Sequence, residues 1–325
     1  MVIDCHAHYV APSVIQAVQA GTWRPHLTYQ EGARCFAFPD FTTRSTPNGM
    51  DDVTRRLQHM DQVGVDLELL STWVDLLGPD LPESTALNFH RAVNRGLAEA
   101  ADQHPDRFRF LASVPLPFGD GAARELTFAV AQLGAVGALI GTHVGGRSLD
   151  DRRFDPFWAA AEELDVPVVL HPLSRAMMVP LEAYYLGNLL GNPFDTTVAA
   201  SRLIFGGVLD RFSQLQIVLL HGGGYLPYAV GRLDHGYQVR PETKEPQRRP
   251  SEYLNRFTYD HIVYDPKILS VLVDRVGSDR IVLGSDYPFD MEPMDVLGLA
   301  KTVFGDQAGD LLGQTASRVF SKIER

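Results

Sequence analysis

The chain is poor in cysteine, in positive charge and in long apolar runs, and each shortage narrows what it can be. Two cysteines, Cys5 and Cys35, occur in 325 residues, and neither belongs to a CxxC pair. They could form one disulfide, but a chain of this size does not need one. Cys5 shares a predicted buried strand with several polar residues, so a reduced core thiol is expected. No apolar run approaches the roughly 20 residues that cross a bilayer. The first apolar stretch already carries Asp4, His6 and His8, unlike a signal peptide. A cytoplasmic location is therefore expected. The formal net charge of −11 repels phosphate backbones and anionic membrane surfaces, so neither nucleic acid nor a membrane is an expected partner. A small anionic substrate would need locally placed arginines.

What is present is ordinary globular composition, with 45% hydrophobic and 21% charged residues. The length suits a (β/α)8 TIM barrel with insertions, read as a single domain over residues 1–325. Short apolar segments at residues 2–8, 65–72, 108–116, 136–144, 166–172, 216–222, 257–263 and 280–286 read as buried parallel strands. Helical patterns at 87–104, 122–133, 156–164 and 266–276 lie between them. Such alternation gives a closed barrel or a doubly wound sheet. The connection from Val10 to Asp61 is a long insertion after strand 1. It holds Trp23, Phe36, Phe38, Pro39, Phe41 and Pro47, and long ordered loops at this position usually cover the active face. A second insertion, from Gln238 to Arg256, carries Lys244, Arg248 and Arg249 and reads as solvated surface.

His6-Ala7-His8 is an HxH on a strand, so both imidazoles point to one face with Cα atoms about 6.5–7 Å apart. That spacing lets two rings reach one ion at roughly 2.1 Å each. His171 ends the fifth apolar segment before Pro172, which stops a regular ladder. His221 ends the sixth and precedes Gly222-Gly223-Gly224, expected to leave room for close approach of a ligand. Asp286 ends the eighth. Side chains on four different strand ends converge only if those ends form a ring, which selects the barrel over the open sheet. His6, His8, His171 and Asp286 suit one Zn²⁺ per chain, with Mn²⁺ possible in its place. His221 is then the natural proton handler beside the ion.

The set His6-x-His8, His171, His221 and Asp286 resembles the mononuclear form of the amidohydrolase superfamily. Narrower strings resemble the aminocarboxymuconate-semialdehyde decarboxylase family: Gly64-Val65-Asp66, His221-Gly222-Gly223-Gly224, Gly231-Arg232-Leu233-Asp234, Pro250-Ser251-Glu252-Tyr253 and Gly284-Ser285-Asp286-Tyr287-Pro288-Phe289. The resemblance runs from strand one to about Phe320. It implies that His6, His8, His171 and Asp286 are ligands and that His221 and Asp286 are catalytic. It further implies that Arg232 reaches a carboxylate in a neighbouring subunit of a homodimer, and that Arg44 is a second carboxylate-binding arginine. Phe289 would line the substrate pocket. Asp40 stands where that family carries a lysine, and Leu173 where it carries a tryptophan; both differences touch the pocket rather than the metal. Gly141-Thr142-His143 lacks the Lys or Glu that bridges two ions elsewhere in the superfamily, so one ion is expected.

The expected activity is metal-dependent nonoxidative decarboxylation of a small unsaturated or aromatic acid, muconate semialdehyde-like or hydroxybenzoate-like. The alternative is a metal-dependent hydrolase acting on an amide or lactone.

Overall fold

The eight predicted strands all form, because runs such as Val168, Val169 and Leu170 have both faces to bury and lose essentially all contact with solvent. In this computed structural model, residues 1–22, 25–30, 32–38, 42–43, 45–77, 81–173, 181, 183–293 and 295–324 are described. The strands are β1 (Ile3–Tyr9), β2 (Leu67–Thr72), β3 (Phe108–Ser113), β4 (Gly137–Gly141), β5 (Val168–His171), β6 (Ile217–Leu219), β7 (Phe257–Asp260) and β8 (Ile281–Val282). They make one sheet in chain order, with every ladder parallel. Parallel bridges Asp4–Leu283 and Ala7–Tyr287 join β1 to the chain just beyond β8. There Cys5 N donates to Leu283 O at 2.9 Å and His8 N donates to Tyr287 O at 2.8 Å. The sheet thus returns on itself, and the strand ends form the ring that the ligand pattern requires.

The helices are α1 (Pro12–Gln19), α2 (Val53–Val63), α3 (Glu83–Gln103), α4 (Gly119–Leu133), α5 (Asp155–Glu163), α6 (Asn192–Phe205), α7 (Val208–Arg211), α8 (Leu226–Val239), α9 (Pro266–Val276), α10 (Gly298–Phe304) and α11 (Ala308–Val319). Local signals set their limits. Asp265 caps α9 by accepting from Lys267 N at 2.8 Å, Pro266 occupies the first turn, and Leu269, Leu272 and Val276 bury one face. Asp52 caps α2, and Gly64 ends it in a left-handed turn at φ 75°.

Between β1 and β2 lie α1, an antiparallel hairpin of His26–Gln30 with Ala33–Ala37, and α2. Phe36 and Phe38 are buried, as their aromatic character suggests. Trp23, Pro39, Asp40, Phe41 and Arg44 lie outside the described residues. From α2 a fully buried Arg56 reaches inward to the Glu68 carboxylate on β2 and to the carbonyl oxygen of His8. Removing one partner of such a buried pair costs about 3–5 kcal/mol. Arg56 therefore ties the long connection to the end of β1.

Two of the family-like strings meet near α8. Asp234 accepts from Ser251 N at 2.9 Å, and the Tyr253 hydroxyl donates to Asp210 at 2.7 Å. Part of the 238–256 segment is therefore pinned, with Tyr253 buried. Among the described residues no helix is long and apolar enough to cross a membrane.

Candidate metal centre and adjoining cleft

Alternation along β1 turns Asp4, His6 and His8 to one face, and all three are buried. His171 is the last residue of β5. Asp286 lies four residues beyond β8, and His221 two residues beyond β6. Both strands end sooner than their apolar patterns predict, and the two side chains project from loops. Each takes a left-handed backbone, at φ 55° for His221 and φ 64° for Asp286. Such conformations cost roughly 1–3 kcal/mol and gather at functional positions.

One ligand atom from each of His6, His8, His171 and Asp286 lies within 4.8 Å of the others. Asp286 Oδ1 is 3.3 Å from both His6 Nε2 and His8 Nε2. Each imidazole is turned by what its other nitrogen does. His6 Nδ1 donates to Asp260 Oδ2 at 2.8 Å. His8 Nδ1 faces Ser71 Oγ at 3.3 Å and Thr72 O at 3.4 Å, and His171 Nδ1 donates to Pro172 O at 2.8 Å. The second nitrogens are thereby presented to the centre, the usual way a histidine ligand is oriented. His6 Nε2, His8 Nε2 and Asp286 Oδ1 are buried without a hydrogen-bond partner. Each orphan of this kind costs about 1–3 kcal/mol, and their convergence fits a cation. Three imidazoles and one carboxylate suit a divalent transition ion.

The protonation states agree with that fit. Burial takes His8 below the ordinary histidine range. Burial, helped by the neighbouring imidazoles, takes His171 well below it. Burial opposes charge on Asp286, yet His6, His221 and His8 hold its carboxyl well below the usual range. His6 behaves differently. Burial pulls it down, but Asp286 and Asp260 outweigh that and raise it to about 10. The centre therefore holds an ionised carboxylate, neutral imidazoles and one positive charge that an ion would displace.

Asp260, at the end of β7, was not singled out from the sequence. It accepts from His6 Nδ1 and, through Oδ1, from Gly222 N at 2.8 Å, linking a candidate ligand to the His221 loop. The available signal was its place within the seventh apolar segment. Asp4 is saturated by His6 N at 3.0 Å, Ser285 N at 3.1 Å and Ser285 Oγ at 2.5 Å.

His221 Nε2 stands 4.0 Å from Asp286 Oδ2. Of the three glycines expected to leave space for a ligand, Gly224 lines the cleft beside His221, while protein fills the space that a Cβ would take at each. A Cβ at these glycines would meet Val263 at 2.3 Å, the Tyr259 ring at 2.6 Å and Pro193 O at 1.9 Å. The triplet lets the His221 loop pack against α6 and the end of β7. Beside His221 and Asp286 opens a cleft of about 550 Å³ whose walls include Asn192, Tyr225, Tyr228, Ile262 and Tyr264.

The remaining predicted residues divide. Phe289 is half-buried with its ring 5.4 Å from that of His8, so it stands against the ligand group. Arg232 is exposed on α8, one turn beyond Tyr228, and is not among the described residues lining the cleft. Arg44 lies outside the described residues. His143, 4.0 Å from Asp195, is not part of the four-residue group. It lines a separate cavity of about 180 Å³ with Leu173.

A parallel eight-stranded ring carrying three imidazoles and a carboxylate at its C-terminal rim defines a (β/α)8-barrel protein with a metal-binding centre. The amidohydrolase family profile matches residues 3–320, and the chain belongs to the amidohydrolase family. It is 33% identical over 236 residues to the 2-amino-3-carboxymuconate-6-semialdehyde decarboxylase of Dictyostelium discoideum, covering 72% of this chain and 66% of that relative. It is 32% identical over 259 residues to the gamma-resorcylate decarboxylase of Polaromonas sp. strain JS666, covering 74% of this chain and 78% of that relative. A crystal structure of a dihydroxybenzoic acid decarboxylase from Polaromonas sp. JS666, with bound manganese and the inhibitor 2-nitroresorcinol, superposes with a TM-score of 0.78. It is 26% identical to this chain and covers 100% of it and 97% of its own length.

Proposed function

We propose that the protein is a metal-dependent nonoxidative decarboxylase, a carboxy-lyase, acting on a small unsaturated or aromatic carboxylic acid. One observation carries the reading. The unpartnered His6, His8 and Asp286 atoms converge with His171 beside His221 and an aromatic-walled cleft, in a chain whose relatives above are decarboxylases. His6, His8, His171 and Asp286 would hold one ion per chain, Zn²⁺ or Mn²⁺; the related Polaromonas structure contains manganese. A bound ion supplies Lewis-acid polarisation of a substrate oxygen.

The rest is the work of the chain's own side chains. Loss of CO₂ leaves an electron pair on carbon, which a proton must quench. His221 and Asp286 would hold and deliver that proton at His221 Nε2, a role their 4.0 Å separation supports. Phe289 packs against the His8 ring and limits the substrate side of the centre. Among the described residues, those lining the cleft include no Arg or Lys, so the substrate's carboxylate needs an arginine from elsewhere. Arg44 and a second copy's Arg232 are the proposed sources. A homodimer is supported by exposed apolar side chains, with Leu189 and Tyr228 on the cleft wall and Tyr184, Leu190 and Phe194 near them in the sequence. Exposed apolar side chains of that kind are what a partner covers. The long segment after β1 is read as an insertion over the active face. Residues 1–325 are read as one domain, supported by a single hydrophobic cluster that runs from Ile3 to Ile323. The cytoplasm is the proposed location, consistent with Cys5 and Cys35 both being free and buried.

CO₂ release from a panel of hydroxybenzoates and muconates tests the reading. Turnover of at least one member is expected. Hydrolysis of amide or lactone analogues without any CO₂ release would replace it with the hydrolase alternative. Mixing inactive Arg232→Ala and His221→Ala proteins under subunit exchange should return about a quarter of wild-type activity if the interface is two-fold. Proven exchange without recovery would remove Arg232 from the neighbour's pocket.

A further inference from the structure

One wall of the cleft holds a polar group that the chemistry above does not use. Asn192 opens α6 and is 8% exposed. Asn192 lines the cleft that contains His221 and Asp286, and its Oδ1 is buried and accepts no hydrogen bond. The surrounding wall is largely apolar, with Ile262, Val263, Ile268 and Met291. An amide oxygen left unpaired in such surroundings costs about 1–3 kcal/mol, and a native orphan of this kind calls for a functional explanation.

The position of Asn192 is built rather than incidental. Gly224 has no Cβ where one would meet Pro193 O at 1.9 Å, so the first turn of α6 packs directly on the His221 loop. Thr197 Oγ1 accepts from Tyr225 N at 2.7 Å and donates to Pro193 O at 2.7 Å. This clamp fixes the start of α6, and with it Asn192, relative to His221. Elsewhere on the cleft wall, the Tyr264 hydroxyl donates to Met291 O at 2.7 Å, holding an aromatic side chain in place.

We propose that Asn192 is a specificity-determining residue whose Oδ1 accepts a hydrogen bond from a hydroxyl or amino substituent of the acid bound beside His221. The inference rests on the decarboxylase reading and narrows it. The substrate carries a hydrogen-bond donor on the side facing α6, and an analogue with that donor methylated leaves the amide oxygen unpaired. A site built to bond a substrate hydroxyl rejects the analogue lacking it far more strongly than an apolar wall can.

The test compares wild type, Asn192→Leu and Asn192→Asp on a hydroxybenzoate that releases CO₂ and on its O-methyl ether. Wild type should prefer the free hydroxyl on the order of 10²-fold in kcat/KM. Asn192→Leu should lose most of that preference through the hydroxylated substrate, with metal content unchanged. Asn192→Asp keeps an acceptor and should keep the preference. Retention of the wild-type preference by Asn192→Leu, or its equal loss in both variants, overturns the proposal. If Asn192→Leu fails to fold, Asn192→Asp alone decides, since a preference lost there also overturns it. Calorimetric binding of 2-nitroresorcinol and its dimethyl ether asks the same question without turnover. Asn192-dependent discrimination there, without CO₂ release from any acid, would sink the decarboxylase reading and leave this one standing. Failure of wild type to distinguish the two ligands would sink this one.

Discussion

His6 and His90 are both buried histidines hydrogen-bonded through Nδ1, yet their environments drive them in opposite directions. His90 lies on α3 with Nδ1 2.8 Å from Ser113 Oγ on β3, and burial lowers it to about 3. His6 is equally buried, but Asp286 and Asp260 overcome the burial and raise it to about 10. The packing region neutralises its histidine, and the rim of the barrel holds a positive charge. Asp4 and Asp286 repeat the contrast among carboxylates. Both oxygens of Asp4 accept hydrogen bonds from the chain, whereas Asp286 Oδ1 is buried without one. Saturated buried groups hold a fold together; unsaturated ones that converge mark where something else binds.

Breaking the unsaturated side of this contrast should have the largest effect. Asp286→Ala is expected to lose the ion and roughly 10³-fold or more in kcat/KM, equivalent to several kcal/mol of electrostatic assistance. Metal analysis beside the assay checks both. His221→Asn should retain the ion while losing on the order of 10²–10⁴ in turnover. Loss of metal in that variant would make His221 a ligand. Asp260→Asn replaces the carboxylate that orients His6 while keeping an amide oxygen to accept from Gly222 N. Metal affinity should fall about 10–100-fold, measured by competition with a chromogenic chelator, and unchanged affinity would make Asp260 purely architectural.

The smallest effect belongs to the packing region. His90 has a folded value near 3 and an unfolded value near 6.5. The unfolded chain therefore binds the extra proton between those limits. The stabilising contribution of His90 is full above about pH 6.5 and is lost progressively as pH falls toward 3, by about 1.4 kcal/mol per pH unit. Urea unfolding of wild type and His90→Gln from pH 7 to pH 5 should show a shallower decline in the variant. Parallel curves would mean that His90 does not carry this proton linkage.

Much of this contrast was legible in the sequence. The strands stood out because burial on both faces demands continuous aliphatic runs, and α9 matched its predicted limits because Pro266 and Gly277 punctuate it. His6 and His8 stood out as candidates by their HxH spacing on the first segment, and His171 and Asp286 because one ends the apolar stretch before Pro172 and the other ends the eighth segment. The hairpin between β1 and β2 was not, since its first strand is largely exposed and carries no clean alternation. Arg56 could not be told from its exposed neighbour Arg55, because only the docking of α2 decides which one is buried. Asp260 and Asn192 owe their meaning to contacts across β7, β1 and α6, adjacency that no local pattern encodes. The glycine triplet was visible, but its packing against Val263, Tyr259 and Pro193 was not.

The most direct measurement is a titration of metal-free protein with Zn²⁺ and, separately, Mn²⁺, reading bound ion and CO₂ release on the same samples. Activity should rise in step with occupancy and level off at about one ion per chain, with Asp286→Ala flat throughout. Full CO₂ release from verified metal-free protein, or activity that ignores occupancy, would contradict the assignment of His6, His8, His171 and Asp286 to a catalytic ion.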